Sequence, residues 1–127
     1  MARVLLIDDD PQIRTVCRLL LQCAGFTVTE ASNGEEGLRV FGDQPAEVVL
    51  CDVFMPGQDG LELIRQLHRQ FPEVRIIAMS GGAFAGSMDL LPVARRLGAA
   101  AILHKPFQVS EVLETIRRVL DTSTASR

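Results

Sequence analysis

Arg3-Val4-Leu5-Leu6-Ile7 runs without a break into Asp8-Asp9-Asp10, and that junction decides the fold. A strand with one wet face alternates apolar and polar residues. Continuous apolarity instead marks burial on both faces, as in a parallel sheet covered by helices on each side. Three acids directly after such a run mark the place where the buried strand reaches the surface.

Short, nearly continuous apolar runs recur over 27–31, 48–51, 74–79 and 100–103. Helical periods fill the gaps. The first, over 11–24, places Ile13, Val16, Cys17, Leu20 and Leu21 on one side and is stopped by Gly25. A second covers 33–41, and a third carries Leu61, Ile64, Leu67 and His68 on one face and ends before Pro72. A fourth, over 90–97, stops at Gly98; a fifth, over 109–120, has Ser110 as a cap and Val109, Val112, Leu113 and Ile116 facing the core, as do Leu103 and Phe107. Five strand-then-helix repeats predict an open α/β layer, in which ligands collect beyond the carboxyl ends of the strands. No composition break marks a second domain, so one domain over 1–121 is expected, followed by a flexible polar tail over 122–127.

A chain of 127 residues that is 47% hydrophobic can bury an ordinary core without metal or disulfide support. Its net charge of −3 argues against a direct nucleic-acid surface. No apolar run is long enough to cross a bilayer, and the opening Met1-Ala2-Arg3 lacks a signal-peptide layout, so a cytoplasmic protein is expected. Cys17, Cys23 and Cys51 are odd in number and form no CxxC pair; all three read as reduced packing residues. Of the thirteen basic residues only Lys105 is a lysine, which singles out one compact point charge in an arginine background.

Chemistry concentrates at the strand ends. The first run ends at Asp8-Asp9-Asp10, the third at Asp52, the fourth at Ser80-Gly81-Gly82 and the fifth at His104-Lys105-Pro106. Clustered carboxylates repel unless they share a cation, and hard oxygen donors with room for water suit Mg²⁺. Asp9 and Asp52 are the expected direct ligands, with Asp8 acting through water and the Phe54 carbonyl adding an oxygen. A carboxylate can also attack phosphorus if the charge on the phosphoryl oxygens is neutralised. Asp52 is placed for that role, with Lys105, the Ser80 hydroxyl and the Phe54 and Gly81 amides as partners of the oxygens. Taken singly, the three acids could equally be a solvated turn that caps a helix, and Ser80 a turn hydroxyl. His68 and His104 read as surface or packing residues.

Asp8-Asp9, then Asp52-Val-Phe-Met-Pro-Gly-Gln-Asp-Gly, Ser80-Gly-Gly and Lys105-Pro-Phe, in that order and each at a strand end, resemble the receiver domain of two-component response regulators over about residues 3–120. The resemblance implies a flavodoxin-like three-layer α/β sandwich with sheet order 2-1-3-4-5 and five helices. It implies phosphorylation of Asp52 with Mg²⁺, from a histidine kinase or histidine phosphotransfer protein, and signalling to a downstream protein by a stand-alone domain that is a monomer or weak dimer. It also implies a cis Lys105-Pro106 peptide and a tight turn at Gly57 and Gly60.

Three features depart from, or refine, that pattern. Where many receivers carry an aromatic switch residue, this chain has Ile102, so a smaller rearrangement must accompany Ser80. The 80–98 segment is longer than usual. Phe54 stands where relatives tune hydrolysis, and a bulky apolar side chain there would shield an acyl phosphate. Two further readings stand beside the switch. An aspartate-nucleophile phosphatase would need a second Asp two residues after the nucleophile, where this chain has Phe54; a degenerate scaffold receiver would not need the intact acids, Ser80 and Lys105.

Overall fold

The computed structural model describes residues 2–55, 58–80, 91–104 and 108–125. Five strands form one parallel sheet: β1 (Arg3–Ile7), β2 (Thr27–Ala31), β3 (Val48–Asp52), β6 (Ile76–Ser80) and β7 (Ala101–His104), in the order β2-β1-β3-β6-β7. Counting only these five, that is 2-1-3-4-5. Five helices connect them: α1 (Pro11–Cys23), α2 (Gly34–Asp43), α3 (Gly60–Gln70), α4 (Leu91–Arg96) and α5 (Val109–Ala125). Sequence reasoning did not anticipate a small antiparallel hairpin between β3 and α3, made of β4 (Phe54–Met55) and β5 (Gln58–Asp59).

Side chains alternate across a strand, so each apolar run supplies two cores. Leu5, Ile7, Val49, Cys51, Ile76 and Ala78 pack on one face with Phe41, Leu63, Ile64, Leu67 and Ala94 from α2, α3 and α4. Val4, Leu6, Val48, Leu50, Ile77 and Met79 pack on the other with Leu21 from α1 and Val112, Ile116 and Val119 from α5. The three layers are therefore α1 and α5, the sheet, and α2, α3 and α4. Burying each such aliphatic side chain contributes roughly 1.5–3 kcal/mol, which makes the sheet the rigid frame of the molecule.

Local signals set the helix ends. Asp10 caps α1, its carboxylate accepting the amides of Gln12 at 2.9 Å and Ile13 at 3.4 Å, with Pro11 in the first turn. Asn33 caps α2 through the amide of Glu36 at 2.8 Å, while Glu36 reaches back to the amide of Ser32 at 2.6 Å. The stops expected at Gly25 and Gly98 are present, with φ of 99° and 127°.

Several expectations shift. Val16 and Leu20 are exposed, because the stripe of α1 that meets the sheet runs through Cys17 and Leu21 alone of those residues. Cys23 is exposed rather than packed. Val109 is exposed in the first turn of α5, and Ser110 lies inside that helix; the N-terminal cap is closed instead by the Gln108 amide donating to Glu111 Oε1 at 3.0 Å. The same helix continues through Ala125, beyond the expected stop at 120 and into the segment expected as a tail. Phe107 lies outside the described residues.

Gly60, the first residue of α3, packs against the backbone that follows β3: a Cβ there would lie 2.5 Å from both Cα and O of Val53. Gly42, in α2, has nothing within 4 Å of the same position. Gly60→Ala is therefore expected to lower unfolding stability by about 1–3 kcal/mol. Gly42→Ala should be neutral or gain up to about 1 kcal/mol from helix propensity. Urea denaturation of the two variants checks this, and equal effects would contradict the packing argument.

Candidate functional site

Parallel register brings the candidate residues to one edge. Ile7 pairs with Cys51, so Asp8 emerges level with Asp52; Asp52 pairs with Met79, so Ser80 follows one step beyond; Ser80 pairs with His104, the residue before Lys105. The site is thus a consequence of strand pairing and not of local sequence.

The three acids after β1 divide their roles. Asp10 is spent on the helix cap. Asp9 is exposed, and Asp8 is buried at 2% exposure. Both backbone groups of Asp8 are held: its N–H donates to Ala31 O at 3.2 Å, and its carbonyl accepts Arg14 Nη1 at 2.6 Å. Its Oδ1 accepts the amide of Asp10 at 2.9 Å. Asp52 closes β3 at 5% exposure, and the next residue, Val53, extends the ladder by donating to Met79 O at 2.9 Å.

One carboxylate oxygen from each of Asp8, Asp9 and Asp52 lies within 4.8 Å of the others. Like charges at that separation oppose one another by about 3 kcal/mol per pair at an effective dielectric of about 20. Three hard oxygen donors, two buried and one open to solvent, suit a divalent cation that keeps part of its water shell. The helix-cap reading of the acids holds for Asp10 alone.

Of the other sequence candidates, Ser80 closes β6 by its backbone, and its side chain lies outside the described residues. Gly81, Gly57, Lys105 and Pro106 also lie outside them, and with them the expected cis peptide. The backbone of Phe54 opens the β4–β5 hairpin. Ile102 is half-buried on β7, opposite Ala78, and packs against the core shared with α3 and α4. His104 and His68 are exposed. Sequence reasoning missed Arg14 and Glu30, whose contacts reach the site from α1 and β2. The only signal was an arginine four residues after the Asp10 cap, which any surface helix could carry.

Comparison with known proteins decides the family. A model described as the response regulator receiver domain matches residues 4–117. The chain belongs to the response regulator receiver family. Among curated relatives, the C4-dicarboxylate transport transcriptional regulatory protein DctD of Pseudomonas aeruginosa is 39% identical over 120 residues, covering 94% of this chain and 25% of its own length. The chain thus spans about a quarter of that relative. Sporulation initiation phosphotransferase F of Bacillus subtilis is 26% identical over 118 residues, covering 93% of both chains. Among solved structures, the response regulator TrrA of Thermotoga maritima, in complex with Mg²⁺-BeF, superposes with a TM-score of 0.80 at 28% identity, covering 94% of this chain and all of that one. Asp8, Asp9 and Asp52 form the acidic pocket typical of phosphoacceptor receivers. No helix among the described residues is long and apolar enough to cross a membrane.

Directly beneath the receiver's pocket, burial pushes the Cys51 thiol up, and the charges of Asp52 and Asp8 push it further the same way. Cys23 is exposed on α1. Native protein treated with iodoacetamide should therefore be alkylated at Cys23 and not at Cys51 until it unfolds; peptide mapping that found Cys51 labelled at the rate of Cys23 would contradict this burial.

Proposed function

We propose that this receiver is a Mg²⁺-dependent phosphoacceptor switch that takes a phosphoryl group onto Asp52 from the phosphohistidine of a kinase or phosphotransfer protein. The observation that carries the reading is the approach of three carboxylates within 4.8 Å at the carboxyl edge of the sheet, with Asp52 itself buried at the end of the central strand.

Asp9 and Asp52 would hold the cation directly, with Asp8 acting through water and the Phe54 carbonyl adding a donor. When bound, the metal supplies charge neutralisation for phosphoryl oxygens. An Asp52 oxygen forms the new bond to phosphorus as the donor's N–P bond breaks, and that electron pair returns to the imidazole nitrogen. Lys105, the Ser80 hydroxyl and the Phe54 and Gly81 amides would receive the phosphoryl oxygens. Water later attacks phosphorus, releasing phosphate and restoring the carboxylate; the Phe54 side chain would slow that step by shielding. The receiver thus catalyses its own phosphorylation and dephosphorylation without being a conventional enzyme.

Signalling would be a population shift in which Ser80, the segment after it and the Ile102 region favour one arrangement when the acyl phosphate is present. The output would be another protein rather than nucleic acid, reached in the cytoplasm by a monomer or weak dimer. A relay role, passing the group to a second histidine, fits equally with an effector-binding role; a sporulation initiation phosphotransferase among the relatives supports keeping the relay in view.

Incubation with Mg²⁺ and acetyl phosphate, followed by intact mass measurement, tests the reading. The wild type should gain one phosphoryl group, while Asp52→Asn and wild type with chelator should gain none. Equal modification of Asp52→Asn would reject Asp52 as the acceptor.

A further inference from the structure

Arg14 lies on α1, outside the acidic pocket, yet its side chain is only 18% exposed and makes two directional contacts. Nη1 donates to the carbonyl of Asp8 at 2.6 Å, and Nε faces Glu30 Oε1 of β2 at 3.5 Å. The other Glu30 oxygen is taken by Arg18 Nε at 3.0 Å, so Glu30 is clamped between two guanidinium groups one helical turn apart. The Asp8 N–H is already committed to Ala31 O, next to Glu30 on the same strand. Asp8, whose buried carboxylate faces Asp9 and Asp52, is therefore fixed through both backbone groups, one by strand β2 and one by Arg14 anchored on strand β2.

We infer that Arg14 is a positioning residue for the cation site, holding the Asp8 peptide so that the Asp8 and Asp9 carboxylates stay at ligating distance from Asp52. The inference rests on the phosphoacceptor reading and adds to it a residue that touches neither cation nor phosphoryl group. A rigid planar fork suits this task, because one guanidinium can meet a carbonyl and a carboxylate at once in fixed geometry. Without it, the Asp8 carbonyl loses this tie, and the mutual repulsion of the acids is less firmly opposed.

The sign of the effect separates positioning from simple charge. Arg14 is a cation near a cation site, so by Coulomb's law alone its removal should tighten Mg²⁺ binding. Positioning predicts the reverse.

The test is calorimetric titration of the full chain with magnesium chloride, paired with acetyl phosphate labelling across a range of Mg²⁺. Arg14→Met keeps the apolar stem of the side chain and loses the guanidinium. It should raise the Mg²⁺ dissociation constant by about tenfold, in the range seen when outer partners of metal ligands are removed. Labelling should regain the wild-type maximum at saturating Mg²⁺, a split that a general packing defect would not produce. Arg18→Ala removes the other partner of Glu30 and should leave the constant unchanged. Arg14→Lys keeps the charge but cannot span both acceptors, and should weaken binding by a smaller factor. Unchanged or tighter binding in Arg14→Met, or equal weakening in Arg18→Ala, overturns the inference. Should Arg14→Met fail to fold, a lysine variant that binds as wild type overturns it. If the wild type itself takes up neither Mg²⁺ nor phosphoryl group, the phosphoacceptor reading falls and this inference with it; normal wild-type behaviour with an indifferent Arg14→Met rejects this inference alone.

Discussion

Three carboxylates within 4.8 Å of one another cannot coexist as anions at no cost, and the molecule is arranged around keeping them there. Asp8 and Asp52 sit at the ends of neighbouring strands whose register is set by buried aliphatic pairs on both faces. The site can be strained because the sheet beneath it is not. A shift of one residue between β1 and β3 would turn every side chain of one strand to the wrong core, so hydrophobic packing holds the acids together against their repulsion.

Around this frame, each neighbouring segment holds one part of the rim. Asp10 ties the start of α1 to the turn that carries Asp8 and Asp9. The amide of Val53 continues the β3 ladder past Asp52, and Gly60 lets α3 start directly against that backbone. On the other side, Glu36 bridges Ser32 to the first turn of α2; its pairing with the Ser32 amide and hydroxyl holds its carboxyl below the usual carboxylate range. The result is a rigid acidic corner at β1, β2 and β3. At the end of β6 and just beyond β7 the sequence carries Ser80 and Lys105, the partners proposed for the phosphoryl oxygens.

Much of this was legible in the sequence for a definite reason. Continuous apolar runs have few solutions other than two-sided burial, and that places the residues after each run at one edge. Asp8, Asp9 and Asp52 could therefore be grouped from spacing alone, and the structure brings those three together. Features that depend on geometry across elements were not legible. The apolar residues of α1 outnumber what its contact with the sheet can cover, so Val16, Leu20 and Cys23 read as core and are exposed. The β4–β5 hairpin is two residues on each arm, too short for any periodic signal. Arg14 reads as an ordinary helix-surface charge, because its meaning lies in a backbone carbonyl six residues away and a glutamate on another strand.

If repulsion among these acids is stored in the folded state, a divalent cation should relieve it. Chemical denaturation of wild type and Asp9→Asn, each in chelator and in excess Mg²⁺, measures it directly, since Asp9 is exposed and its replacement changes charge with little change in packing. The account predicts that Mg²⁺ stabilises the wild type, by about 2.7 kcal/mol at a hundredfold excess over its dissociation constant. It also predicts that Asp9→Asn is the more stable protein in chelator and gains less from Mg²⁺. A wild type indifferent to Mg²⁺, with Asp9→Asn no more stable than it in chelator, would contradict the account.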